Sequence, residues 1–154
     1  MIQRIQTLYM LAVEILLIVC LCSPIGRFVS ANGETVGVMN NLTFRNGNDE
    51  VLSYSLWALC TILSIVLVTT AMAILLYRKR MRQIRFLVFN TILLAGYCIA
   101  YIAFVFVFKG QSEDASFTPT LYVAFPVVSI ILNWLAIRSI GADEMLVRAV
   151  DRIR

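Results

Sequence analysis

Four long runs of apolar residues, separated by polar segments, dominate the pattern of this chain. They cover residues 5–25, 54–77, 86–108 and 118–137 of the 154. An α-helix rises about 1.5 Å per residue and the hydrocarbon core of a bilayer is about 30 Å thick, so about 20 apolar residues cross it. Each run reaches that length. The pattern predicts an all-α integral membrane protein, a single domain built as a bundle of four transmembrane helices.

The first apolar run follows a basic residue, Arg4, as the apolar region of a secretory signal peptide does. Two features argue against cleavage. Glu14 interrupts what would be the apolar region, and no small-x-small cleavage pattern follows it. We therefore expect this run to be retained as the first transmembrane helix and to end at Pro24.

The polar segment 26–53, between the first and second runs, carries a hairpin signal. Asn32-Gly33 is the pair that favours a type I′ turn, and strand-like residues flank it at 27–31 and 34–39. An isolated hairpin is only marginally stable in water. We expect a small β-hairpin, alone or with a third strand, that leans on the ends of the helices.

The fourth run and the tail 138–154 differ in character. Pro126 lies near the middle of the run and predicts a kink, because proline cannot donate the backbone hydrogen bond of a helix interior. In the tail, apolar residues recur at spacings of three and four among charged ones. This spacing predicts a short amphipathic helix at 142–153, separate from the fourth span.

The basic residues predict the orientation in the membrane. Of 13 Lys and Arg residues, all but Arg27, Arg45 and Lys109 lie in the N-terminus, the 78–85 loop or the tail. Short loops rich in Lys and Arg stay in the cytoplasm. We therefore expect both termini to be cytoplasmic. The net charge of +4 does not indicate nucleic-acid binding, because much of the basic charge is concentrated in that loop.

The cytoplasmic charges also predict a contact surface. Its candidate residues are Arg78, Arg80, Arg82, Arg85, Asp143, Glu144, Arg148, Asp151 and Arg152. A short amphipathic tail helix is too weak to fold alone in water, so something must bury its apolar stripe. One hypothesis is that its acidic residues pair with the basic loop and dock the tail beneath the bundle. The other is that the tail binds a protein partner.

Composition excludes several classes of function. Hydrophobic residues make up 60% of the chain and charged residues 14%, and histidine is absent. Without histidine, a zinc site and an ordinary catalytic triad lack their usual residues, and no phosphate-binding glycine loop occurs. We expect no catalysis, cofactor or metal. The four cysteines lie in or beside apolar runs, which suggests buried free thiols; a bridge from Cys20 or Cys22 to Cys60 is the alternative.

Three polar residues within the apolar runs form a candidate intramembrane site: Glu14, Asn90 and Asn133. A carboxylate at mid-membrane is costly, so Glu14 should lie between helices, either as a neutral carboxyl bonded to a neighbouring helix or as a proton or cation site. Asn90 and Asn133 lie toward the same ends of their helices. The simplest interpretation is a hydrogen bond between them, and ligand binding is the alternative.

Motifs at both ends of the chain resemble a known family. The chain opens on Met1-Ile2-Gln3-Arg4-Ile5-Gln6-Thr7-Leu8-Tyr9, carries Asn133 and Ala136-Ile137-Arg138 near the end of the fourth run, and closes on Asp143-Glu144-x-Leu146-Val147-Arg148-x-x-Asp151-Arg152-Ile153-Arg154. In these it is similar to the Bacteroidetes four-transmembrane-helix family catalogued as domain of unknown function 4293. The resemblance implies the inner membrane of a diderm bacterium and supplies no activity.

Two functional hypotheses follow. The first is a non-catalytic accessory or scaffold subunit of a larger membrane assembly, in contact with membrane lipids and with a membrane-protein partner or further copies of itself. The second is a small oligomeric transporter, channel or lipid-binding protein that uses Glu14. An oligomer that places Glu14 along a pore would distinguish the second hypothesis from the first.

Overall fold

The computed structural model describes residues 3–30, 33–46, 51–53, 56–76, 80–111 and 115–151. Four long helices lie within this part of the chain: α1 Gln3–Cys22, α2 Trp57–Leu75, α3 Arg80–Gln111 and α4 Ala124–Asp151. Each is long and apolar enough to cross a membrane, as the four apolar runs predict. Helix α1 packs against α2 and α4, and α3 packs against the same two helices, so the four form a closed bundle.

Among the described residues, five short strands form one antiparallel sheet. They are β1 Gly26–Ser30, β2 Thr35–Met39, β3 Phe44–Asn46, β4 Val51–Ser53 and β5 Ala115–Pro119, in the spatial order β4-β3-β2-β1-β5. The predicted hairpin is confirmed as β1 and β2. Gly33, in the connection between them, has a φ of 82°, a left-handed conformation that favours glycine. Strand β5 was not predicted: it pairs with β1, with Phe28 opposite Phe117.

The sheet covers the end of the bundle at which α1 and α3 finish, here called the sheet end. Asn41 connects it to the bundle, because its Nδ2 donates to the carbonyl oxygen of Cys20 at 2.7 Å and its Oδ1 accepts from the Tyr97 hydroxyl at 2.7 Å. Aromatic rings pack beneath the strands. Phe44 stacks on Phe108 of α3, with ring centroids 4.8 Å apart. The expectation that the hairpin leans on the helices is therefore correct.

Helix α3 begins earlier than the apolar pattern predicts. Its first residue is Arg80, so Arg82 and Arg85 of the expected basic loop belong to the first turns of the helix. Arginine has a high helix propensity, and the apolar run gives no indication of a helix that extends beyond it. The end of the bundle at which α3 begins is called the basic end below.

Two expectations about the fourth span are wrong. Pro126 is the third residue of α4, where its missing N–H has no helical acceptor, and so it does not interrupt a span at its middle. The residues before it form β5 and a short 3₁₀ turn, Leu121–Val123. The tail does not form a separate helix either. Helix α4 continues through Gly141 to Asp151.

The interior of the bundle is apolar at both ends. A large cluster near the sheet end includes Leu17, Leu63 and Tyr97, and a smaller one near the basic end consists of Met10, Ala73, Leu87, Ala136 and Ile140. The outward faces are also apolar, as a lipid environment requires. All four cysteines are free thiols, so the alternative of a bridge to Cys60 is wrong.

Candidate intramembrane site

A polar layer crosses the bundle next to the smaller apolar cluster. Glu14 lies four residues after Met10 on α1, and Thr69 and Thr70 lie four and three residues before Ala73 on α2. Asn90 lies three residues after Leu87 on α3, and Asn133 lies three residues before Ala136 on α4. In every helix this is the direction of the sheet end. Three or four residues correspond to about one helical turn, or roughly 5–6 Å. Each of the four helices therefore contributes a polar side chain at nearly the same level. Glu14 lies close to the middle of its span, Ile5–Cys22.

One half of this layer is fully hydrogen-bonded. Asn90 is completely buried, and its Nδ2 donates to Thr70 Oγ1 at 2.9 Å, while its Oδ1 accepts from Thr69 Oγ1. These bonds join α2 to α3. The predicted hydrogen bond between Asn90 and Asn133 is wrong, because the Asn90 amide is directed at α2. Its two threonine partners are adjacent residues of the apolar helix α2, and only their hydrogen bonds to Asn90 show that they join α2 to α3.

The other half of the layer is unpaired. Asn133 is 0% exposed, and neither its Oδ1 nor its Nδ2 has a hydrogen-bond partner. Ser129, one turn away on the same face of α4, is also 0% exposed, with an unpaired Oγ. Glu14 is half-buried rather than enclosed, yet its Oε2 is buried and unpaired. These three residues are called the unpaired set below.

Ser129 differs from other hydroxyl residues in the spans. Five of those donate to the carbonyl oxygen four residues earlier in their own helix, the usual way to satisfy a hydroxyl in an apolar environment. They are Thr61, Ser64, Thr69, Thr70 and Thr91. Ser129 has no such bond. Its hydroxyl is therefore available to another group at the same level.

The unpaired set contains both acceptors and a donor. Glu14 Oε2, Ser129 Oγ and Asn133 Oδ1 can accept from or coordinate a positively charged ligand, and Asn133 Nδ2 can only donate. Ionisable and amide groups at membrane depth often mark proton or cation sites. A proton would turn the Glu14 carboxyl into a donor, and a small cation is a ligand for any of the three oxygens.

Comparison with known families gives one result. A family model described as a domain of unknown function, DUF4293, matches residues 2–153. The chain belongs to the DUF4293 family. This membership confirms the resemblance of the terminal motifs. A search of curated proteins gave no match.

Only part of the expected cytoplasmic contact surface of this DUF4293 protein lies within the residues that the structure describes. Arg78 and Arg152 lie outside the described residues, as do the side chains of Glu144, Arg148 and Asp151. Of the residues described, Arg80 is half-buried, and Arg82 and Arg85 are exposed on α3.

Asp143, one of the predicted surface residues, is hydrogen-bonded to another helix. Its Oδ2 accepts a hydrogen bond of 2.6 Å from Nε2 of Gln6, which is almost fully buried. The bond joins α4 to the beginning of α1. The sequence did not indicate it, because the two residues are 137 positions apart. Asp143 thus joins two spans, and the pairing of the other acidic tail residues with the basic loop stays a prediction.

Sequence reasoning identified Glu14, Asn90 and Asn133 of this DUF4293 layer and missed Ser129. The available signal was the spacing of four between Ser129 and Asn133, which puts both on one face of a helix. Thr69 and Thr70 were missed because a threonine in a span usually bonds its own backbone, and these two do so as well.

Proposed function

We propose that this protein is a small membrane transporter or channel that binds a proton or a monovalent cation at the unpaired set. The observation that carries the proposal is the lack of any partner for Asn133, a completely buried amide in an apolar bundle. A buried polar group without a partner costs about 1–3 kcal/mol. Proteins are stable by only about 5–15 kcal/mol, so several such groups are a large cost unless a ligand offsets it.

The position of Glu14 supports this proposal. The residue lies beside the core-facing positions Met10, Val13 and Leu17 of α1 rather than among them, and it is half-buried. A carboxyl group at this position is directed into the bundle through Oε2 and also lies near the outer surface of α1. In an oligomer, this surface would bring Glu14 from each copy to a shared path. The proposal therefore expects more than one copy per functional unit.

Ligand-dependent stability tests the proposal. Thermal unfolding of the protein in detergent is measured in NaCl, KCl and choline chloride at equal ionic strength, and over a pH series. A ligand at about 100 times its Kd adds about 2.7 kcal/mol, which raises the Tm by roughly 5–10 °C. We expect sodium, potassium or protons to do so, and Glu14→Gln to remove the response without changing abundance.

A matched control uses a hydroxyl outside the layer. Ser64 is exposed and bonds the Cys60 carbonyl oxygen of its own helix, so Ser64→Ala should respond to cations as the unchanged protein does. Flux of the same ion into liposomes that contain the protein tests transport separately from binding. An equal Tm in all three salts and across pH, or a response that survives in Glu14→Gln, contradicts the cation site.

The same proposal includes a location. The asymmetry of basic residues supports an inner membrane with both termini and the basic end of the bundle in the cytoplasm. In a cysteine-free variant, an impermeant thiol reagent applied to spheroplasts should label Asn48→Cys and leave Arg80→Cys unlabelled. The reverse pattern would place the termini outside.

A non-catalytic accessory subunit is the second candidate, and one observation favours it. A side chain added at Gly96 of α3 would meet no atom within 4 Å, and Ile92 and Ile99 beside it are 64% and 70% exposed. An exposed glycine between two exposed isoleucines allows a helix of a larger membrane protein to approach α3 closely. Gly96→Leu should then reduce co-purification of that protein while leaving the Tm of the isolated chain unchanged; Ile102→Leu is the control.

A further inference from the structure

A pocket lies on the outer side of α3, where Arg82, Arg85 and Phe89 are exposed and Phe86 packs partly against the smaller apolar cluster. It has a volume of about 260 Å³ and is lined by Arg82, Arg85, Phe86 and Phe89. These positions follow the spacing i, i+3, i+4 and i+7, which places them along one side of a helix. The opposite side carries the buried residues Gln83, Leu87 and Asn90. The pocket therefore opens to the surroundings of the protein.

The residues around the pocket change from arginine to phenylalanine along α3, and the surface that lines it is almost entirely apolar. Arg82 lies two residues from the first residue of α3, at the basic end, and Phe89 lies seven residues further into the span, roughly 10 Å along the axis. Phe89 is 48% exposed even though the surrounding positions form part of an apolar span. Two arginines near the beginning of α3 are thus followed by two aromatic rings in the apolar part of the helix.

We propose that this pocket binds one anionic phospholipid of the surrounding bilayer. Arg82 and Arg85 hold the headgroup phosphate, and Phe86 and Phe89 pack against the first part of an acyl chain. Guanidinium groups bind phosphate with two parallel hydrogen bonds, and their geometry suits a site that holds one headgroup. The lining of the pocket is almost entirely apolar, so a free anion would leave most of it empty. A phospholipid fills it with an acyl chain and places its headgroup beside the exposed arginines.

Among the described side chains at the basic end, the acid Asp143 of α4 is hydrogen-bonded to Gln6, and Arg82 and Arg85 are both exposed. This arrangement leaves the two guanidinium groups accessible to a headgroup. The lipid site is independent of the proposed cation site, because it lies on the outside of α3 and shares no residue with the polar layer.

Quenching by brominated lipids tests the proposal. Trp57→Phe and Trp134→Phe remove the natural tryptophans, and Phe89→Trp places one reporter in the pocket. The protein is reconstituted in phosphatidylcholine vesicles that contain a minor fraction of brominated phosphatidylglycerol or brominated phosphatidylcholine. A basic residue near an anionic membrane contributes about fivefold in affinity, so we expect the reporter to prefer phosphatidylglycerol by roughly tenfold or more.

Arginine variants separate a site from diffuse surface charge. In Arg82→Gln/Arg85→Gln the preference should fall close to one. Arg80→Gln removes a charge from the same helix end outside the pocket and should keep most of the preference. Equal quenching by both brominated lipids overturns the proposal, and so does an equal loss in Arg80→Gln and Arg82→Gln. Abolition of the preference by inorganic phosphate at constant ionic strength would assign the pocket to a soluble anion instead.

Discussion

Asn133→Leu should make the protein more stable and abolish its response to cations. Asn133 is completely buried and both its amide atoms are unpaired, so leucine, of similar size, removes a group whose unsatisfied burial costs about 1–3 kcal/mol. The apolar replacement also gains contacts with the surrounding side chains. We expect the unfolding free energy to rise by about 1–3 kcal/mol, measured by chemical or thermal unfolding in detergent.

The same asparagine-to-leucine substitution at Asn90 of the neighbouring helix α3 is the control. Asn90 is equally buried, but it bonds Thr70 and Thr69 of α2. Asn90→Leu breaks both interhelical bonds and should lower the unfolding free energy by about 1–2 kcal/mol. Opposite signs for two asparagines in one layer would distinguish a ligand site from a structural bond. A loss of stability in Asn133→Leu as large as in Asn90→Leu would show that Asn133 is structural.

Glu14→Lys should prevent most of the protein from accumulating in the membrane. The residue lies near the middle of α1, and its Oε2 is directed into a buried, unpaired environment. A lysine at the centre of a span costs at least about 2.5–3.5 kcal/mol, and here no acid remains beside it in the layer to compensate. Its charge would also repel the proposed cation. Abundance in the membrane fraction and the Tm of purified material measure the effect.

Two further variants make this result interpretable. Ile5→Lys places the same charge on an exposed position of α1 at its basic end, where the long side chain reaches water, and should be tolerated. Glu14→Gln keeps the shape and should reach normal abundance. Wild-type abundance of Glu14→Lys would mean that position 14 is in contact with water, and the intramembrane site would then have to be abandoned.

The four spans could be predicted from the sequence because crossing a membrane depends on the length and apolarity of a helix, and a sequence displays both directly. The hairpin was equally accessible, since Asn32-Gly33 fixes the geometry of a two-strand connection locally. Strand β5 was not, because residues 115–119 run into the fourth apolar run and their partner β1 lies almost 90 residues earlier. Pairing over such a distance depends on how the helices bring two loops together.

The polar layer was likewise predictable only in part. A carboxyl and two amides within apolar runs are visible in the sequence, and their depth follows from counting residues. Their partners depend on how each helix is rotated about its axis, and nothing in the composition fixes that rotation. Asn90 is therefore directed at Thr70 rather than at Asn133, and only the packed bundle reveals that Asn133 lacks a partner.

The pairing of β1 with β5 restricts how this bundle can move. Strand β1 starts four residues after the end of α1, and β5 starts four residues after the end of α3, so their ladder from Gly26–Pro119 to Ser30–Ala115 ties two diagonally placed helices together. Separating those helices at the sheet end requires breaking a row of backbone hydrogen bonds. At the basic end, the contact between Gln83 and Met10 joins the same two helices through a weak sulfur acceptor, at 3.4 Å. Any separation of α1 from α3 is therefore resisted more strongly at the sheet end than at the basic end.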